Sequence, residues 1–202
     1  MLGNRGGRRR LQSIRKKGKV APTEMKIKQE QNATLQAIEF AIQMEIDGKK
    51  YYLEAGRQSD NKVGKELFHW LAGEEDKHRR IFSSIFNAIR KRKTWPAVGI
   101  QPRKGAILDT VFSKELKRVA PTAKATDSEL ESIAKAMEME NKTREFYENR
   151  NQKAGFDAEK QLYSALAAEE QGHYLALVDY REYLVDPAGY FRKVEHHSLD
   201  GG

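Results

Sequence analysis

The 202-residue sequence contains no cysteine. That excludes disulfides, thiolate metal sites, iron–sulfur clusters and a cysteine nucleophile. Proline is scarce, with five residues at positions 22, 96, 102, 121 and 187, so long stretches on either side of the middle three carry no helix breaker. No apolar run approaches the roughly 18 residues that a membrane span needs. No apolar signal-peptide core follows the basic start. These absences predict a soluble, cytoplasmic protein without membrane contact. Acidic residues are nearly missing from the first 24 positions. Eight Lys and Arg stand there against Glu24 alone, which accounts for +7 of the chain's net +8. The basic character therefore belongs to a Gly- and Arg-rich tail, placed at residues 1–28 and expected to be a solvated, disordered extension. Contact of this tail with nucleic acid or an acidic partner is the alternative.

What is present is helical patterning. A hydrophobic content of 39% suits one core and one domain. The pattern predicts one helix pair at roughly 29–56 and 62–91 and another at roughly 127–152 and 157–184. Between them lies a segment too long for a tight turn, with room for a short helix around 109–119. Asp127 or Ser128 can cap the third helix. Asp186-Pro187 has the chemistry of an N-cap and first position of a short final helix within a C-terminal region at 185–202.

The two pairs repeat each other at an offset of 95 residues without a gap, so that residues 41–82 lie over 136–177. Ala41/Ala136, Met44/Met139, Glu45/Glu140, Tyr52/Tyr147, Leu67/Leu162, Leu71/Leu166, Glu74/Glu169, Glu75/Glu170 and His78/His173 are identical pairs. A repeated helix hairpin predicts an all-α four-helix bundle over 29–184, with the middle segment as a long crossover.

The apolar stripes carry the chemistry. The second helix presents Leu67, Leu71, Glu75, His78, Phe82, Ile85 and Ile89, and the fourth presents Leu162, Leu166, Glu170, His173, Leu177, Tyr180 and Leu184. Both follow helical spacing, and both place one Glu and one His, three residues apart, where the core should be. The first and third helices read Leu35, Ile38, Ile42, Glu45, Tyr52 and Leu130, Ile133, Met137, Glu140, Tyr147. Glu45 and Glu75 are 30 residues apart about Asp60, and Glu140 and Glu170 are 30 apart about Gly155. Antiparallel helices therefore bring each pair to one height.

Four buried carboxylates repel one another and are costly to leave unpaired. Two divalent cations neutralise them with both histidines uncharged. Oxygen-rich donors with one nitrogen per metal suit iron or manganese and leave zinc open. A Glu from each of two helices plus Glu-x-x-His from each of the other two is the arrangement of di-metal carboxylate bundles. Glu66 and His69 share the Glu-x-x-His spacing but face away from the stripe, so they read as surface residues. Glu74 and Glu169 read as flanking residues behind the ligands or at the surface. Trp70 and Trp95 read as packing residues. His196 and His197 read as exposed.

The motifs "AIQMEIDGKKYYLEA", "LAGEEDKHRRIF", "AMEMENKTREFYENR" and "LAAEEQGHYLAL" resemble the rubrerythrin-like branch of the ferritin-like superfamily over roughly residues 30–184. The resemblance implies two iron ions, with manganese possible. It implies Glu45 and Glu140 as terminal ligands, Glu75 and Glu170 as bridges, and His78 and His173 as one ligand each. Tyr52 and Tyr147 match the family's site tyrosines, hydrogen-bonded to ligand glutamates. Two departures stand out. Rubrerythrins proper carry a further Glu one turn after the third-helix ligand, where this chain has Thr143, paired in the repeat with Gly48. They also carry a cysteine-ligated electron-delivery domain that this chain lacks. The expected activity is a rubrerythrin-like peroxidase, a di-iron oxidoreductase that reduces hydrogen peroxide or dioxygen with an external electron donor, in a homo-oligomer, a dimer. A ferroxidase or iron-storage role is the alternative, through likeness to bacterioferritin. That protein's haem-ligating methionine is replaced here by Asp76 and Gln171.

Overall fold

The computed structural model describes residues 22–92, 95–96 and 126–192, with side chains from residue 32. Residues 1–21 of the basic tail, the crossover apart from 95–96, with its expected short helix, and His196 and His197 lie outside the described residues, whereas residues 22–28, expected in the disordered tail, are helical. Four long helices form: α1 Pro22–Gln58, α2 Lys62–Arg92, α3 Asp127–Lys153 and α4 Asp157–Val185. A short helix, α5, follows at 187–192. The described elements are all helical, as the patterning predicts.

α1 begins ahead of the expected residue 29. Proline is compatible with a first helical turn, and neither Gly nor Pro interrupts positions 23–47. The α2 start is capped by Asn61, whose Oδ1 accepts from the Val63 amide at 2.8 Å. The cap of α3 is Thr126, one residue ahead of the expected Asp127, with its side chain accepting from the Glu129 amide at 3.2 Å. Asp127 and Ser128 are instead inside the first turn, where an acid complements the free amides. Asp186 caps α5 as expected, accepting from the Gly189 amide at 2.9 Å.

α1 packs against α2 and α3 against α4 as two hairpins. Their turns, at 59–61 and 154–156, lie at opposite ends of the bundle. This follows from the composition of its two apolar clusters. One gathers Tyr52, Val63, Leu67, Leu71, Ile133, Leu177, Tyr180 and Leu184, from the α1–α2 turn and the far ends of α3 and α4. The other gathers Ile38, Ala41, Phe82, Ile85, Tyr147, Leu162, Tyr163 and Leu166, from the opposite end. Between the two clusters sits the layer of Glu and His side chains.

Every stripe residue of α2 and α4 is buried. In α1 and α3 the buried face is rotated slightly, since Ile42 and Met137 are half-exposed while Ala41 and Ala136 are fully buried.

Candidate metal centre

Glu45, Glu75, His78, Glu140, Glu170 and His173 all reach this middle layer, and none is more than 4% exposed. Their donor atoms form two sets, each within 4.8 Å: Glu45, His78 and Glu170 in one, and Glu75, Glu140, Glu170 and His173 in the other. Glu170 belongs to both. Glu75, expected as a second bridge, belongs to one set and shares a hydrogen bond with Glu45. In the first set, His78 Nδ1 lies 3.4 Å from Glu45 Oε2 and 3.1 Å from Glu170 Oε1. In the second, His173 Nδ1 lies 3.2 Å from Glu170 Oε2, 3.6 Å from Glu140 Oε2 and 3.9 Å from Glu75 Oε1. The two imidazoles stack at 5.7 Å.

The electrostatics are those of crowded acids. Burial and the negative charges of Glu45 and Glu170 push Glu75 well above the usual carboxylate range. Burial and Glu170 push Glu140 up to about 8. For His173, burial favours the neutral ring, but Glu140 and Glu170 outweigh it and raise the group to about 10. His78 is raised in the same way, chiefly by Glu45 against the effect of burial. Glu170 is held well below the ordinary range, against its burial, by hydrogen bonds from Glu140 and His173 and by the charge of nearby His78. Protons thus neutralise the cluster, a task that two divalent cations can also perform.

The donor set fits such ions on a direct observation. Glu45 Oε2, His78 Nδ1 and Glu170 Oε1 are buried, mutually close and without hydrogen-bond partners. Buried polar atoms normally have a partner. Three such atoms converging without one fit a cation.

The surroundings hold the donors in place. Tyr52, on α1, donates its hydroxyl to Glu140 Oε1 on α3, and Tyr147, on α3, donates to Glu45 Oε1 on α1. The two tyrosines therefore cross between hairpins. Burial and the charge of Glu140 raise Tyr52, keeping it a donor. Glu169, half-buried, meets His78 Nε2 at 2.8 Å. Its repeat counterpart Glu74 meets Lys77 at 2.5 Å instead. His69 is exposed, with its Nδ1 against its own helix carbonyl of Lys65 at 2.7 Å, and Glu66 is exposed too. Trp70 packs edge-on to His173 at 5.3 Å, and Trp95 packs on Tyr163.

Two contacts escaped the sequence reading. Gly48 is buried where a Cβ would lie 3.1 Å from Glu75 Oε2, so its lack of a side chain makes room for that carboxylate. The different partners of Glu74 and Glu169 were signalled only by a mismatch in the repeat, Lys77 against Gly172.

No helix among the described residues is long and apolar enough to cross a membrane. No curated protein and no solved structure matches the chain. A family model described as Rubrerythrin matches residues 36–179, a span that includes all six donors and both tyrosines. With that match over most of its length and this donor layer at its centre, the chain belongs to the rubrerythrin family, whose members bind a pair of irons.

Proposed function

We propose that the protein is a non-haem di-iron oxidoreductase that reduces hydrogen peroxide or dioxygen. The reading is carried by the convergence of unpartnered Glu45, His78 and Glu170 atoms beside a second donor set that shares Glu170. Glu45, His78 and Glu170 would hold one iron, and Glu75, Glu140, Glu170 and His173 the other. Manganese suits the same donors. When bound, a ferrous pair supplies two electrons, which with two protons turn one hydrogen peroxide into two waters. Tyr52 and Tyr147 act as positioning residues, each fixing the orientation of a donor glutamate. The apolar clusters above and below the layer keep bulk water from the carboxylates and strengthen their hold on a cation. The chain has no cysteine to carry electrons in, so a separate donor protein or a small reductant must re-reduce the site.

The near-twofold donor set, without a further carboxylate at Thr143 or Gly48, favours a second reading as a ferroxidase. One experiment separates the two. Protein loaded anaerobically with two ferrous ions is mixed with peroxide or with dioxygen in a stopped-flow instrument. The oxidoreductase reading expects rapid oxidation, with one peroxide consumed per iron pair and repeated turnover once reductant is added. A site inert to peroxide, in protein that oxidises and accumulates many ferrous ions per chain, would replace it with the storage reading.

A further inference from the structure

The repeat is strict at the donors and broken just behind them. Position 77 is Lys where its counterpart 172 is Gly, and position 70 is Trp where its counterpart 165 is Ala. Both differences act on the histidines. Glu169 Oε2 lies 2.8 Å from His78 Nε2. Glu74, the equivalent carboxylate, is instead drawn to Lys77 Nζ at 2.5 Å. The Trp70 ring stands against His173 at 5.3 Å and 89°. One imidazole thus has a carboxylate behind it. The other has an indole, and the carboxylate meant for it is held by an ammonium group.

The geometry points to two metal positions of unequal affinity, with the His78 position filled first and Lys77 enforcing the difference. This rests on the metal reading above. A carboxylate behind an imidazole fixes the tautomer and orientation that present the other nitrogen as a ligand, and it makes that nitrogen a better donor. Here the presented atom is His78 Nδ1, and it faces Glu45 Oε2 and Glu170 Oε1 at 3.4 and 3.1 Å with no hydrogen bond to break. The His173 set has one donor more. Its His173 Nδ1, however, is already bonded to Glu170 Oε2 at 3.2 Å. An ion entering there must first displace that bond. Among the described residues no carboxylate pairs with His173 Nε2.

Cobalt(II) titrated anaerobically into the full metal-free chain, followed by visible absorption and calorimetry, tests this. Two separate steps are expected. His173→Ala keeps the tight step and His78→Ala loses it. Glu169→Ala weakens the tight step about ten- to hundredfold, the usual effect of losing a partner behind a ligand, and leaves the weak step in place. Glu169→Asp recovers part of the loss. Gly172→Lys has open space for its side chain and sets an ammonium three residues from Glu169, as Lys77 is from Glu74. It should reproduce the Glu169→Ala effect without removing the carboxylate. Lys77→Ala should strengthen the weak step and narrow the gap. Melting of each metal-free variant shows that the fold is kept. Equal steps that move together in every variant, or loss of the tight step in His173→Ala, would overturn the inference while leaving a metal site standing. Wild-type protein that takes up no cobalt would overturn both the inference and the metal reading beneath it.

Discussion

A methyl group at position 48 would come within 3.1 Å of Glu75 Oε2 and 3.2 Å of its carboxyl carbon. Glycine costs a helix interior about 0.5–1 kcal/mol relative to alanine, so its presence here trades helix stability for carboxylate position. Gly48→Ala should therefore separate two properties. The metal-free protein should melt at the same or a slightly higher temperature, because Glu75 can shift a few tenths of an ångström. Metal affinity should fall, because the shifted carboxylate no longer meets Glu140 and His173. Thermal melts and a metal titration on the same preparation check it, and unchanged affinity would mean that Gly48 is only a packing residue. Replacing Gly73, which has nothing within 4 Å of its Cβ position, should leave affinity alone.

At the scale of elements, the α1–α2 turn is fixed from a distance. Ser59 Oγ and the Tyr180 hydroxyl both donate to Glu129 Oε1 at 2.7 Å, joining the turn, the first turn of α3 and the last turns of α4. Gly64 faces this knot, and a Cβ there would lie 2.2 Å from the Tyr180 hydroxyl and 2.5 Å from Glu129 Oε1. Forcing extra volume into a packed site costs typically about 1–3 kcal/mol. Gly64→Ala should lower stability by at least that much, as read from chemical denaturation, and a neutral outcome would show that the knot is loose. This element also marks where the sequence stopped being legible. The stripes of α2 and α4 and the inward faces of the paired Glu and His could be read because helical period and the 95-residue repeat both report on them, whereas the crossing of Tyr52 and Tyr147 between hairpins could not. Glu129 could not, because an acid in a first helical turn reads as a solvated partner of free amides. Its burial depends on Tyr180, which only the fold brings near. The α1 start is illegible for a simpler reason, since no breaker or cap marks residue 29. Thr126 does not stand out as the cap because two better-ranked capping residues follow it directly.

For the whole molecule, the donor layer ties stability to pH. Glu75, Glu140, His78 and His173 all bind protons more tightly in the fold than their ordinary values allow, with Glu140 at about 8 and His173 at about 10. The unfolded chain releases these protons near the usual values of about 4.3 for Glu and about 6.5 for His. Raised values mean stability present at low pH and lost as pH rises through them. The melting temperature of metal-free protein should thus decline from about pH 5.5 to about pH 9. Glu169 and Glu170, held low, act in the opposite sense only in the acid range below this window. The metal-loaded protein should be much flatter, since bound ions replace the protons. Melts at half-unit intervals decide it, and a metal-free curve that is flat or rising would contradict the crowded layer. The division of donors between hairpins has a consequence in time. Each donor set draws on both hairpins, one through Glu170 and the other through Glu75, and each tyrosine crosses from one hairpin to the other. Neither hairpin alone can hold an ion in this way, so capture must follow docking. Interactions formed after the rate-limiting step slow unfolding and leave the folding rate untouched. Refolding followed by stopped-flow fluorescence should run equally fast with and without metal, while unfolding in denaturant should slow as metal is added. The ion would then govern how long the fold survives, and have no part in how quickly it is reached.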